Sequence, residues 1–236
     1  MRRRPSPEAG PPLSSEPVSF SQRLHDEAAP IWTAIFTHPF LRALVDGTLP
    51  IESFRYFLAQ DYRYLEAFGR AVALALAKAP DTTALHRLVA RVTTPIERPL
   101  HAHLLDLAGL SADEVEALEP APANLAYMNH LLATAALGDA GVAAAALLPC
   151  PWTYHLIGER MAEWGTPREP LYAEWASFYA SGMLAESTRA WRELVDEAAA
   201  TASEAECRAM RRAFLRSSRY EYLFWDAAYR REGWPV

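Results

Sequence analysis

Few side chains in this sequence combine reactivity with an unusual setting, and Cys150 is the first of them. In the run Leu147-Leu148-Pro149-Cys150-Pro151-Trp152 a thiol stands between two prolines. Pro151 suits the first position of a helix, where its missing N–H is not needed. Cys150 then sits at or beside the N-cap, where the positive end of the helix dipole favours the thiolate, the nucleophilic form. If residues 141–164 instead form one kinked helix, Cys150 is mid-helix and that support weakens. The competing reading of Cys150 is plain packing, because a free cysteine is commonly a small buried hydrophobe.

Two carboxylates stand out by where they interrupt apolar stripes. Asp61 falls in the middle of Phe54, Phe57, Leu58, Tyr64, Leu65 and Phe68, all on one face at helical spacing. Glu221 breaks the stripe Met210, Phe214, Ser217, Phe224, Trp225 and Ala228, and it is flanked by Tyr220 and Tyr222. A charge on a core face is costly unless it is paired. A salt bridge to Arg63 or Arg70 would account for Asp61, although neither arginine lies at the i+3 or i+4 spacing that faces it locally. A thiol, two core-facing acids and several tyrosines together suit nucleophilic catalysis assisted by proton transfer.

Other candidates carry less. Glu97 and His101 are spaced i, i+4 and read as a helix-surface pair, while His101 and His103 point to different faces. No Glu-x-x-His occurs, so the di-iron bundle signature is missing and no metal site is expected. Cys207, among Glu204, Glu206 and Arg208, reads as a bystander. There is no glycine-rich phosphate loop and no Gly-x-Ser-x-Gly elbow.

The elements that must position these residues are all predicted to be helices. Long Ala, Leu, Glu and Arg stretches are separated by 18 prolines and 10 glycines, and β-branched runs are scarce. Helices are predicted over 19–36, 40–46, 50–78, 81–107 (bent near Pro95 and Pro99), 112–118 behind a Ser111 capping box, and 124–137. Further helices are predicted around Cys150, from about 170 to 199 with an interruption at Gly182, and over 203–231. Residues 1–18, rich in Pro, Ser and Glu, read as a disordered tail, and 19–236 as a single all-helical domain.

Composition narrows the function class. The chain has 236 residues, 51% of them hydrophobic, and a net charge of −6, which gives no electrostatic support for nucleic-acid binding. Two distant cysteines with no CxxC argue against a disulfide framework and for a reduced, cytoplasmic setting. The initial arginines are not followed by the apolar segment of a secretory signal. No apolar run approaches the roughly 18 residues that a membrane span needs.

Four segments, together specific, are similar to motifs of the TenA family, also called thiaminase II. They are Thr37-His38-Pro39-Phe40 with Asp46-Gly47-Thr48-Leu49-Pro50; Gln60-Asp61-Tyr62-Arg63-Tyr64-Leu65; Leu148-Pro149-Cys150-Pro151-Trp152 with Gly158-Glu159; and Tyr220-Glu221-Tyr222-Leu223-Phe224-Trp225 with Ala228-Tyr229. The resemblance covers about 19–234. It implies an all-α, haem-oxygenase-like fold that binds no haem, a homotetramer, and hydrolysis in thiamin salvage without a cofactor. The implied substrates are 4-amino-5-aminomethyl-2-methylpyrimidine and thiamin, both giving 4-amino-5-hydroxymethyl-2-methylpyrimidine. By matching motif, Cys150 is the nucleophile, Glu221 the acid/base, and Asp61 the group that holds the pyrimidine's amino group and ring nitrogen. Tyr64, Tyr127 and Tyr179 line the site. Cys150 places the chain with the cysteine-bearing branch of the family, and Pro151 takes a place that is often aromatic in relatives.

Two other classes compete. A metal-dependent oxygenase of the same fold is opposed by the missing Glu-x-x-His pairs. A non-catalytic pyrimidine-binding regulator would keep the pocket and form no product. One prediction needs only the tail: deletion of residues 1–17 should leave thermal stability and hydrolysis at wild-type levels, because every motif lies beyond it. Loss of either at matched concentration would refute the division at residue 18.

Overall fold

A computed structural model describes residues 18–93 and 97–236, without side-chain detail at 90–93, 97, 98 and 112. The expected tail therefore lies outside the described residues, apart from Val18, and so does the expected bend at Pro95. Among the described residues all regular structure is α-helical. The helices are α1 (Phe20–Phe36), α2 (Pro39–Asp46), α3 (Ile51–Leu76), α4 (Thr83–Thr93), α5 (Glu97–Leu107) and α6 (Ala112–Ala117). They continue as α7 (Pro122–Leu137), α8 (Ala140–Leu147), α9 (Pro149–Trp164), α10 (Pro170–Ala180), α11 (Ala185–Thr201) and α12 (Glu204–Arg230). Helix starts follow their chemistry. Ser19, Ser111, Asp139 and Ser203 each accept a backbone N–H as N-caps, and Pro39 and Pro122 open their helices at the first turn.

The centre is built by α3, α7, α8 and α12, which pack on one another, with α9 against α12 and α10 against α9. Fully buried aromatics fill it, including Trp32, Phe57, Trp175, Phe214 and Trp225, with Phe57 stacked on Trp225 at 5.1 Å. The stripes read from the sequence are thus core faces, and every described helix contributes to one apolar cluster.

A few polar contacts fix helix against helix. Gln60 Oε1 accepts from Asn124 Nδ2 at 2.8 Å and from Ala121 N at 3.0 Å, while Asn124 Nδ2 also donates to Gln60 O at 2.8 Å. This buried clamp holds α7 on α3 one turn from Tyr64 and Tyr127. Lys78 Nζ donates to Ala135 O, Ala136 O and Gly138 O, neutralising the negative end of α7. His38 caps α2 by accepting from Phe40 N at 3.1 Å, and its Nε2 lies 3.7 Å from Asp226 Oδ1 on α12.

Two expectations are corrected. Leu148 keeps helical angles (φ −57°, ψ −37°) between α8 and α9, and hydrogen bonds Leu148 N→Ala144 O and Trp152 N→Leu148 O run across the junction. Residues 140–164 are one helical run, so Cys150 is mid-helix and receives no N-terminal dipole. The same run, with a mean hydropathy of 1.2 in its most apolar window, is long and apolar enough to cross a membrane, contrary to the reading from sequence. That window is 78% buried within the bundle, so its apolar character serves the core.

Gly158 marks a very close helix contact, tighter than at any other described glycine. A Cβ there would lie 2.2 Å from the backbone oxygen of Tyr179 on α10. Gly158→Ala must push α10 away and should lower stability by roughly 1–3 kcal/mol, the range for overpacking. Urea unfolding measures this, and an unchanged midpoint would refute the contact.

Candidate active site

Glu221, 2% exposed, projects from α12 into the centre of the bundle. Its Oε1 accepts from the Tyr127 hydroxyl at 2.6 Å, a short bond of the kind made to a carboxylate. Its Oε2 lies 3.5 Å from Thr153 Oγ1. The Thr153 hydroxyl is also 2.9 Å from Pro149 O and 3.2 Å from Cys150 O, which ties Glu221 to the turn that carries the thiol. Thr188 Oγ1 donates to Pro151 O at 3.0 Å, bracing the same turn from α11.

Asp61, 3% exposed, comes from α3. The two arginines weighed as structural partners, Arg63 and Arg70, both reach Glu66. Its neighbour is His101 of α5, whose Nε2 is 3.2 Å from Asp61 Oδ2. His101 is 0% exposed, so the reading of it as half of a surface pair is corrected; the Glu97 side chain lies outside the described residues. Nothing local in the sequence marks His101 as inward.

Asp61, Tyr64, Tyr127, Tyr154, Glu221 and Phe224 line a small cavity. The Tyr64 and Tyr127 rings are 5.1 Å apart, and Tyr127 stacks on Tyr220 at 5.3 Å. Cys150, buried at 8% exposure, borders this set. Burial first, and then the negative charge of Cys150, Tyr127 and Glu221, raises the pKa of Tyr64 well above its ordinary value. Tyr127 is raised likewise by burial, Glu221 and Cys150, and Tyr154 by burial, Asp61, Tyr179, Glu221 and Cys150. Three phenols therefore stay protonated donors around one thiol and two acids, and the fields of all three reactive groups converge on the cavity.

Of the residues singled out from sequence, the structure brings together Cys150, Glu221, Asp61, Tyr64 and Tyr127. Tyr179 packs on Tyr154 at 5.1 Å and on Trp175 at 4.8 Å, one layer from the cavity lining. Tyr154 and Phe224 line the cavity and were not read as site residues. Tyr154 had a signal, since it is i+4 from Cys150 and shares its helix face. Among the described residues no three His, Cys, Asp or Glu side chains gather to hold a metal ion.

The fold defines a class first. It superposes on a domain from Shewanella denitrificans described as having a heme oxygenase-like fold, with a TM-score of 0.66 at 15% identity, covering 89% of this chain and 92% of that one. A TenA homologue from P. horikoshii OT3 superposes with a TM-score of 0.79 at 31% identity, covering 90% of this chain and 99% of that one. The chain belongs to the TENA/THI-4/PQQC family, whose profile matches residues 25–231. An aminopyrimidine aminohydrolase of Halalkalibacterium halodurans is 36% identical over 220 residues, 92% of this chain and 98% of that protein.

Three histidines, His38 and His101 buried and His130 half-buried, set a pH dependence. Burial lowers His38, His101 and His130 from 6.5 to about 4, with Arg230 adding to the effect at His38 and Arg216 at His130. The unfolded chain therefore binds more protons as pH falls below 6.5. Stability should be full above about pH 6.5 and decline steadily toward pH 4. Urea unfolding across that range checks this, and a flat profile would contradict it.

Proposed function

We propose that this protein hydrolyses the exocyclic C–N bond of aminopyrimidines in thiamin salvage. The reaction converts 4-amino-5-aminomethyl-2-methylpyrimidine, and thiamin, to 4-amino-5-hydroxymethyl-2-methylpyrimidine. The observation that carries the reading is the convergence of Cys150, Asp61 and Glu221 on one aromatic-walled cavity. Relatives named aminopyrimidine aminohydrolase over nearly the whole chain support it.

The chemistry follows from the groups present. A group on the methylene of an electron-rich pyrimidine is hard to displace directly. Asp61 receives the 4-amino group and shares a proton with the ring nitrogen, which makes the ring electrophilic. The Cys150 thiolate adds to a ring carbon, forming a C–S bond and placing an electron pair in the ring. That pair expels the leaving group from the methylene: the amine departs with a proton from Glu221, and the thiazole of thiamin departs neutral without one. Water adds to the exposed methylene and returns a proton to Glu221. The C–S bond then breaks and releases the thiolate. Tyr127, donating to Glu221 Oε1, holds the acid in place, while Tyr64 and Tyr154 offer flat walls and hydroxyl donors. Tyr179 supports Tyr154.

The protein acts in this reading as one domain over 19–236, a cytoplasmic homotetramer that takes a small-molecule ligand. The single apolar cluster supports the domain, and Cys150 and Cys207, neither in a disulfide, fit a reducing compartment. Exposed Leu74, Leu137 and Leu223 offer apolar surface for assembly.

The test is to incubate the protein separately with thiamin and with the aminomethyl pyrimidine and to quantify the hydroxymethyl product. Cys150→Ser should abolish product from both while still binding pyrimidine, with Cys207→Ser as a nearly silent control. Glu221→Gln should lose about 100- to 10,000-fold in rate, the range for a general acid/base. Binding without product in the wild type would mark a regulator. Substantial turnover by Cys150→Ser would return Cys150 to a packing role.

A further inference from the structure

Thr153 sits where the turn that carries Cys150 meets Glu221. Its side chain is wholly buried on α9, and its hydroxyl has a single proton to give. Three acceptors surround that hydroxyl: Pro149 O at 2.9 Å, Cys150 O at 3.2 Å and Glu221 Oε2 at 3.5 Å. A helical threonine commonly turns its hydroxyl back to the carbonyl three or four residues before it. That habit explains the two carbonyl contacts. It does not explain the third, which crosses from α9 to α12 between residues 68 apart in the chain. At 2.9 Å the proton rests on Pro149 O, while 3.5 Å is the outer edge of hydrogen bonding. Tyr127 of α7 donates to the opposite oxygen, Glu221 Oε1, at 2.6 Å. The other titratable groups around Glu221 are Asp61 and Tyr64 of α3 and Cys150 and Tyr154 of α9, and Ala140–Leu147 of α8 brings none. His130 of α7 lies one turn away on Ser217, and the charged groups of α1 and α2 meet α12 at Arg211 and Asp226.

We infer that Thr153 is a positioning residue whose hydroxyl follows the charge on Glu221: it rests on Pro149 O while the acid is neutral and turns to donate to Oε2 as the acid gives up its proton. The inference rests on the hydrolytic reading of the site, in which Glu221 protonates the departing amine. In that step the O–H bond of Glu221 breaks, its electron pair stays on the carboxylate, and the proton passes to the amine nitrogen. Thr153 keeps its own proton and changes only its direction, by rotation about the Cβ–Oγ1 bond. A hydrogen bond that strengthens as charge appears favours the transition state over the bound substrate, so it acts on kcat. Tyr127 already donates to Glu221 in the resting structure. Thr153 adds a donor that a backbone carbonyl holds until the charge on Glu221 draws it across.

The experiment compares wild type, Thr153→Val and Thr153→Ser, each full length and checked for wild-type helicity. Val keeps the shape and removes the hydroxyl, whereas Ser keeps the hydroxyl. Steady-state kinetics with the aminomethyl pyrimidine are measured across the pH range in which the wild type works. Thr153→Val should lower kcat by roughly 10- to 100-fold, the effect of losing a hydrogen bond to a charged group, and leave KM nearly unchanged. Losing a donor to the carboxylate disfavours its charged form. The alkaline limb of kcat/KM, where Glu221 loses its proton, should therefore move to higher pH by about one unit or more. Thr153→Ser should keep kcat near wild type and the limb in place. A folded Thr153→Val with wild-type kcat and limb, a loss confined to KM, or Val and Ser variants equally impaired overturns the inference and leaves the function standing. Wild-type protein that forms no product removes both. If Thr153→Val does not fold, neutron diffraction from deuterated wild-type crystals decides. Below the alkaline limb the Thr153 deuteron should point to Pro149 O, and above it to Glu221 Oε2. The same direction on both sides overturns the proposal.

Discussion

The structure turns on keeping two carboxyl groups inside an aromatic core. Asp61 and Glu221 are almost fully removed from water, where a lone charge costs far more than one hydrogen bond returns. A neutral group stands beside each: a phenol hydrogen-bonded to Glu221, and an imidazole at contact distance from Asp61. Neutral donors stabilise a buried charge without extinguishing it. The tyrosines meet the same requirement from the other side, since burial beside anions keeps their protons on oxygen and therefore available to donate.

Holding those groups in register falls to buried polar contacts between distant segments. Gln60 and Asn124 lock α3 to α7, which brings Tyr64 beside Tyr127. Thr153 links the proline-framed turn to α12, and the absent side chain of Gly158 lets α10 press close enough for Tyr179 to support Tyr154. In each case a short polar or absent side chain is placed where a larger apolar one would separate the helices. The cavity is therefore a product of helix spacing as much as of the residues that line it.

Much of this was legible in the sequence because it appears there as a violation. An acid in an apolar stripe is easily seen, so Asp61 and Glu221 were found from periodicity alone, and the helices were placed by their caps and prolines. What was illegible depended on contacts far apart in the chain. For His101, nothing local shows that α5 turns it toward α3. Tyr154, although i+4 from Cys150, was passed over because an aromatic on a core face draws no notice until a cavity opens beside it. The helix-dipole argument for Cys150 failed for a related reason. Two prolines suggest a helix start, yet Leu148 keeps helical angles and the chain passes through them.

That continuous run from 140 to 164 has a consequence for how the chain is made. It is as apolar as a membrane-crossing segment, and much of its cover comes from α12, the last helix to be synthesised. When residues 140–164 leave the ribosome, α3 and α7 already exist, but the helix that closes over them is some forty to ninety residues away. During that interval the nascent chain displays a sticky, lipid-like surface, the kind that chaperones bind. Because α12 also carries Glu221, the event that hides this surface is the one that completes the site. A chain released before its last helix would leave this apolar run without that cover and would lack Glu221.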